Sequence, residues 1–361
     1  MIKKLFKFIL ILLIFVLLVV IGYFAYIMIS YDRIDDKVEL DISDNDKALL
    51  DKVELNHSYT IVTQNIGFGA YCQDYTFFMD GGTESWARSK ESVIDLVNQA
   101  ADEVNSFNPD FIFIQEVDLD STRSYHINEL DLLKEKFTNF SNVKAINYHS
   151  AFLMYPFSKP HGSSNSSLVT FSSFKIASSL RRSLPISTGL SKFLDLDRCY
   201  SITRIPTTNG KELVLFNVHL SAYGGSDEIR RAQTTMLFGD MQAEYEKGNY
   251  CVCGGDFNHD FTGDSTQKLN GGDMTDFGWA QPFPIEILNE YSGLTRVTTY
   301  NNDEIKPTCR NCDVPYKEGN FTIIVDGFIV SNNVEVTYLE NIVTGFVYSD
   351  HNPVVMKFTL K

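Results

Sequence analysis

The chain opens with an unbroken apolar run. Residues 8–29 contain no charged side chain, and nearly all are Ile, Leu, Val, Phe or Tyr. As a helix they would extend ~33 Å at ~1.5 Å per residue, enough to cross a hydrocarbon core of ~30 Å. A helix buried in a soluble core would show a polar face, and this run has none. Residues 31–56 are acid-rich and weakly patterned, which reads as a linker with room for one short helix. From residue 57 to 361, short apolar runs alternate with joins rich in Gly and Asn. Those runs predict strands at 59–65, 110–116, 167–171, 199–204, 213–219, 250–254, 322–330 and 354–359. Helical spacing marks 84–107, where Trp86, Val93, Leu96, Val97, Ala100 and Val104 recur, and Asn108-Pro109 closes the segment. Residues 228–245 suit a further helix. Strands in mixed order with intervening helices predict an α/β (α+β) sandwich of two sheets with helices outside, in one domain.

Charge sharpens the reading of the first segment. Lys3, Lys4 and Lys7 precede the apolar run, and Asp32, Asp35, Asp36, Glu39 and Asp41 follow it. That bias predicts one transmembrane helix within residues 1–30, an N-terminus in the cytoplasm, and the remainder outside the cell membrane. The alternative is a cleaved signal peptide. Its apolar region would be ~7–15 residues long and end in a small-x-small site, which the stretch from Tyr26 to Tyr31 does not offer. The whole chain carries a formal −15; setting aside the three lysines of the first 30 residues leaves 28 cations against 46 anions, or −18. Such a field repels polyanions and argues against a protein that tracks long nucleic acid through a basic surface. It leaves room for a small phosphorylated substrate bound at a metal.

Candidate chemistry lies where the apolar runs stop. Asn65 and Glu116 end the first two predicted strands, and Asn217 and His219 end another. Asp256 and Asn258 follow Cys251-Val252-Cys253-Gly254-Gly255, Asp326 interrupts an apolar strand, and Asp350 and His351 precede the last one. Strand ends on one sheet edge are common places for sites. Pooled there, these residues supply oxygen ligands for Mg²⁺ or Mn²⁺ rather than zinc, and two histidines for proton transfer or phosphate contact. Phosphoryl transfer needs such parts: a cation, a group to orient water, and donors for developing charge. Asp326 carries the strongest signal, because burying a lone carboxylate is costly unless it is paired; orienting His351 is the simplest role. Gly254-Gly255-Asp256 and Ser349-Asp350 also read as plain turns. Cys251 and Cys253 face one side of a strand as small core residues. Cys309 and Cys312 make a single Cys-x-x-Cys, read as a local disulfide or free thiols, since zinc needs more ligands.

The runs Thr63-Gln64-Asn65-Ile66, Ile114-Gln115-Glu116-Val117, Asn217-Val218-His219-Leu220, Gly255-Asp256-Phe257-Asn258, Val325-Asp326-Gly327-Phe328 and Ser349-Asp350-His351-Asn352-Pro353 occur in that order. Together they resemble the endonuclease/exonuclease/phosphatase superfamily, which includes pancreatic deoxyribonuclease, abasic-site endonucleases, neutral sphingomyelinases and inositol polyphosphate 5-phosphatases. The resemblance spans residue 57 to the C-terminus and implies a four-layer sandwich with its site at one edge of two central mixed sheets. By that pattern Asn65 and Glu116 bind the metal, with Asp350 near it. Asp256 orients or activates water, Asn258 helps hold phosphate, His219 contacts phosphoryl oxygens, and Asp326 and His351 form a dyad. Gly327 departs from the pattern, where many relatives carry Tyr. Arg123, Asn165, Arg198 and Asn217 are further substrate-binding candidates; Tyr125, Arg310 and Tyr316 lie in loops nearby, with a structural role the alternative for each. His259 reads as a loop residue, and His57, His126, His149 and His161 lack motif support. The expected function is metal-dependent hydrolysis of a small or lipid-linked phosphoester near the membrane. An extracellular nuclease and a non-catalytic binding module on the same fold are the competing readings.

Overall fold

The computed structural model describes residues 2–361 apart from 45–48, 196, 223–225, 272–278 and 280. In chain order the strands begin with β1 (Val38–Glu39), β2 (Ile42–Ser43), β3 (Tyr59–Asn65), β4 (Phe111–Asp118), β5 (Ser141–Leu153) and β6 (Gly162–Ser172). They continue with β7 (Ser178–Ser183), β8 (Cys199–Pro206), β9 (Glu212–His219), β10 (Tyr250–Asp256) and β11 (Leu294–Val297). The last are β12 (Cys309–Arg310), β13 (Thr322–Ile323), β14 (Asp326–Ser331), β15 (Val334–Asn341) and β16 (Val354–Leu360). The helices used below are α1 (Ile2–Ser30), α2 (Lys90–Ser106), α3 (Glu129–Lys136), α4 (Lys192–Asp195) and α5 (Asp227–Glu246).

Two seven-stranded sheets lie face to face, with orders β15-β16-β3-β4-β6-β5-β2 and β1-β7-β8-β9-β10-β14-β11. Their strands read as near-continuous apolar runs because both faces are covered. Ile61, Phe111 and Phe113 point between the sheets, whereas the alternate residues Val62, Ile112 and Ile114 lie under α2. On the other side Leu237, Phe238 and Met241 of α5 pack against the second sheet. The result is the expected helix-sheet-sheet-helix sandwich. α1 stands apart: it is long and apolar enough to cross a membrane, with mean hydropathy 3.2 in its most apolar window and none of that window buried.

The ladders also decide where strand ends point. β3 runs parallel to β4, and β9 parallel to β10, so each pair sends its carboxyl ends to one edge. β14 is antiparallel to β10 and β16 antiparallel to β3, so these two bring their amino-terminal starts to that same edge. Ends of parallel strands and starts of antiparallel ones therefore meet.

Several elements differ from expectation. α2 begins at Lys90, not residue 84, because Ser89 caps it by accepting from the Ser92 amide at 3.1 Å. Upstream, Ser85 and Trp86 donate to the Lys159 and Pro160 carbonyls and hold that stretch off the helix. The predicted strand at 322–330 is broken at Ile324-Val325, where Thr308 Oγ1 accepts from the Val325 and Asp326 amides. The 31–56 segment contains no helix among its described residues. Instead β1 pairs with β7 and β2 with β5, one at an edge of each sheet, while Leu50 and Val53 form further bridges to the domain. β5, β7, α3 and β15 were not anticipated.

One backbone position constrains the site edge. Gly255 sits at φ +142°, and a Cβ there would lie 2.1 Å from the Val218 carbonyl oxygen of the neighbouring strand. Only glycine fits this conformation without strain. Gly255→Ala is expected to destabilise the chain by about 1–3 kcal/mol, read as a lowered thermal midpoint in detergent. An unchanged midpoint would show that β9 and β10 can part locally without loss.

Candidate active site

Each motif residue takes its place from the ladders. Asp256 ends β10, in register with His219 on one neighbour and Asp326 on the other. Glu116 lies in β4, where the ladder to β6 shifts register between Ile114 and Val117. Its backbone is left-handed at φ +56°, a strained setting for a residue with a side chain. Such bulges re-aim side chains, and here Glu116 lines a cavity of about 420 Å³. Arg123, Arg198, His219, Asp256, Asn258, Asp350 and His351 line it too.

The centre of the arrangement is the Asp256 carboxylate. Oδ1 accepts from the Asn258 amide at 2.8 Å, and Oδ2 accepts from Asn65 Nδ2 at 3.1 Å. The same Oδ2 lies 3.4 Å from His219 Nε2 and 3.8 Å from His351 Nε2. Asn65 Nδ2 also donates to Glu116 Oε1 at 3.2 Å, while its oxygen accepts from the Gly67 amide at 2.9 Å. Asn65 therefore bridges two carboxylates through its nitrogen.

The two imidazoles differ in charge. His351 Nδ1 donates to Asp326 Oδ2 at 2.8 Å. Burial alone would lower its pKa, but Asp326 and the nearby Cys309 and Asp256 outweigh that and hold it well above the usual value, as a cation. His219 is the opposite case. Burial, with the positive charges of Arg198, His351 and Arg123, pushes it well below its usual value. Its Nδ1 faces the Asn147 amide nitrogen at 3.5 Å, and the Asn147 oxygen accepts from the Cys199 amide. Nδ1 is thus the acceptor, which leaves the proton of neutral His219 on Nε2, turned toward Asp256.

Burial, helped by Asp326, raises Asp256 to about 7 against the opposing pull of His351. Burial and then Glu116 raise Asp350 to about 6, again opposed by His351. Asp326 Oδ1 is buried without a partner among the described residues. Four carboxylates crowd this edge, and their oxygens suit a hard divalent cation. Glu116 and Asp350, with Asn65 and Asp256 alongside, are the residues that would hold it. Asp256, Asp326 and His351 also present ligand atoms within 4.8 Å of one another, but there His351 Nδ1 is committed to Asp326. Soft metals fit less well: burial pushes the Cys309 thiol up to about 12, so it is not a ready thiolate.

Some candidates lie elsewhere. Asn217 is fully buried, donates to the Val169 carbonyl and accepts from Gln115 Nε2 at 2.8 Å, so it ties the two sheets together instead of meeting substrate. Asn165 does not line the cavity; strand alternation turns its neighbour Ser166 there. Arg123 reaches the wall but is held by two bonds to Asp118, with its guanidinium 3.8 Å over Phe68. Asn258 donates to the Leu220 carbonyl. His259, read as a loop residue, is buried with Nδ1 2.6 Å from the Phe257 carbonyl, away from the cavity. Gly327 is explained by space, since a Cβ would meet the Phe261 ring at 2.4 Å. All six cysteines are free, including Cys309 and Cys312.

Sequence reasoning missed Asn147 and the aromatic wall of Phe68, Tyr71, Tyr148 and Trp279. It also placed Arg310 in a loop. Arg310 is 1% exposed in β12, Nη2 donates to the Cys72 and Tyr75 carbonyls, and its positive charge helps lower Asp350. Asn147 left no signal in the sequence, because Lys144, His149 and Ser150 surround it with other polar residues.

A model of the endonuclease/exonuclease/phosphatase family matches residues 62–351. Among solved structures, an endonuclease/exonuclease/phosphatase from Beutenbergia cavernae is 16% identical with a TM-score of 0.56, over 84% of this chain and 72% of that one. A Bacteroides vulgatus protein of the same description is 15% identical with a TM-score of 0.52, over 85% and 100%. The human Nocturnin catalytic domain, solved with a bound sulfate anion, is 16% identical with a TM-score of 0.50, over 89% and 98%. Among curated protein sequences, nothing matches.

The raised carboxylates give a pH-dependent expectation. Asp256 and Asp350 bind protons more tightly folded than unfolded, so the stability they lend at low pH is lost as pH rises through about 6–7. A divalent cation bound at this cluster would take the place of those protons. The gain in thermal midpoint on adding Mg²⁺ or Mn²⁺ should therefore grow across that window, and Glu116→Gln should abolish most of it. A gain independent of pH would place the cation away from this cluster.

Proposed function

Since the chain belongs to the endonuclease/exonuclease/phosphatase family, whose members are phosphoester hydrolases, we propose that it cleaves a small or lipid-linked phosphoester beside a membrane, with Mg²⁺ or Mn²⁺. The observation that carries this reading is the meeting of two oppositely tuned imidazoles on one buried carboxylate, at 3.4 and 3.8 Å, inside a cavity also lined by Glu116 and Asp350.

A divalent cation, when bound, neutralises phosphoryl oxygens. The chain's own residues supply the rest. Asp256, with its pKa near neutrality, is suited to take a proton from the attacking water. His351, kept cationic by Asp326, directs positive charge and its Nε2 proton toward the oxygens that gain charge as the phosphoester bond breaks. His219 offers a neutral Nε2–H donor from the other side. Arg198 and Arg310 in the cavity wall add positive potential within a chain of strongly negative net charge.

The substrate reading rests on charge and placement. A formal −18 beyond the first 30 residues disfavours long nucleic acid, and α1 as an uncleaved anchor raises the local concentration of lipid headgroups. The lysines before the apolar run support a cytoplasmic N-terminus and an extracellular domain. A binding module without catalysis is disfavoured, because no acid or imidazole of the motif set is missing.

Purified full-length chain should hydrolyse bis-p-nitrophenyl phosphate with Mg²⁺ and stop with chelator. Glu116→Gln and His351→Ala should each lower the rate by roughly a hundredfold or more; wild-type rates in either would refute the assignment. Asp326→Asn removes the charge that keeps His351 protonated, so the rate should begin to fall with rising pH earlier than in the wild type. A panel of sphingomyelin, phosphoinositides, nucleotides, RNA and single- and double-stranded DNA separates lipid from nuclease activity. Protease added to intact cells should remove the domain, and protection would reverse the topology.

A further inference from the structure

Outside α1, the three most exposed large apolar side chains among the described residues lie in two turns. Phe157 is 82% exposed, Leu190 66% and Tyr155 64%, and Phe152 and Met154 are exposed as well. Four of them belong to residues 152–157, the end of β5 and the turn toward β6. This stretch is fastened to α1. The Met154 amide donates to the Tyr23 hydroxyl at 2.8 Å, the Phe152 amide donates to the Tyr26 hydroxyl at 3.2 Å, and the Tyr23 hydroxyl donates to the Phe152 carbonyl at 3.2 Å. Leu190 lies in the turn before α4. There Phe193 packs edge-on against Tyr31 at 5.9 Å, and the Lys192 ammonium sits 4.4 Å over the same ring.

Tyr23, Tyr26 and Tyr31 thus form a belt at the outgoing end of α1, and both apolar turns lie at its height. Tyrosine belts mark the lipid–water boundary of spanning helices. Tyr23 and Tyr26 lie only ~10 Å and ~6 Å before the end of α1 at ~1.5 Å per residue. A turn bonded to them cannot stand clear of a bilayer that α1 crosses. Local charge agrees. Every charged residue between Glu135 and Asp195 is Lys or Arg, in a chain with a formal charge of −15. Lys159 and Lys192 flank these two turns, and basic residues of this kind favour anionic headgroups. The same region borders the site: Tyr23, Met154, Tyr155 and Phe193 line the cavity that holds Glu116, His219 and Asp256.

We propose that residues 152–157, with Leu190, form a second membrane contact that seats in the interfacial layer of the bilayer and holds the cavity mouth against lipid headgroups. The contact rests on the reading of α1 as a membrane span and deepens the proposed preference for lipid-linked substrates.

The test uses full-length chain in vesicles of phosphatidylcholine and phosphatidylglycerol, with or without brominated acyl chains. A Phe157→Trp variant is compared with Leu50→Trp, each corrected for the native tryptophans. Leu50 is also exposed, at 58%, but it bridges Phe174 just past the far end of β6. That lies roughly 40 Å from the turn at ~3.3 Å per residue. Bromine should quench the added fluorescence of Phe157→Trp about threefold more than that of Leu50→Trp, as expected for a side chain in the interface. Equal quenching overturns the contact. Failure to float with the vesicles overturns the span and the contact together. Chain that floats and shows the difference, yet hydrolyses nothing, upholds the contact and overturns only the hydrolase reading.

Discussion

A buried carboxylate shared between two imidazoles lies at the meeting point of both sheets. Asp256 accepts from a backbone amide and from Asn65, and faces two imidazoles. Buried charge is tolerated only where hydrogen bonds and opposite charge surround it. That requirement reaches outward through the fold. Asn65 must stay at the end of β3 to share its amide between Asp256 and Glu116, and Gly255 must let β10 approach β9. Asp326 must sit opposite Asp256 in the ladder to keep His351 charged. The same frame separates the two histidines. One is paired with an acid and stays cationic; the other is surrounded by positive charge and an amide and stays neutral. A donor and a cation on either side of one carboxylate are what phosphoryl chemistry asks of a protein.

The frame was legible because polar residues interrupted apolar runs. Asn65, Glu116, His219, Asp256, Asp326 and His351 each break a pattern that otherwise favours burial, and the parallel and antiparallel ladders carry all six to one edge. Other parts left less trace. Asn217 breaks its run just as His219 does, two residues away on the same face, yet it meets Gln115 and the Val169 carbonyl between the sheets. Alternation assigns a face; it does not say how far along the strand the cavity begins. Asn165 shows the converse error, one residue out of phase with Ser166. β5 was unreadable because Asn147, His149 and Ser150 dilute its apolar residues. The 31–56 segment misled for a different reason: β1 and β2 join sheet edges through backbone bonds, which impose little on side-chain pattern. Gly327 looked like a departure from the pattern, and the structure gives it a packing cause in Phe261.

The aromatic wall connects the site to the first helix. Phe68, Tyr71, Tyr148 and Tyr155 give the cavity an apolar lining alongside its carboxylates and imidazoles. A wholly polar phosphoester gains little from such a wall. A phosphoester carrying an apolar group gains from the aromatic and the polar lining together. Tyr23 of α1 closes this wall, so the helix contributes to the cavity as well as to any anchorage.

Net charge and local charge then pull in different directions, and the difference is informative. A domain with a formal −18 should hold anions away, yet its candidate chemistry concerns phosphate. The conflict resolves by distance. Exposed charges act over roughly 10 Å at moderate salt, so an anion in the cavity would respond chiefly to Arg198, Arg310, His351 and any cation that Glu116 and Asp350 would hold. A long polyanion would also have to lie along the acidic exterior. A headgroup presented from the side of Lys159 and Lys192 meets turns whose own charged residues are basic. The acidic exterior and the basic approach are therefore compatible with one substrate class, a compact phosphoester delivered from the side where α1 stands.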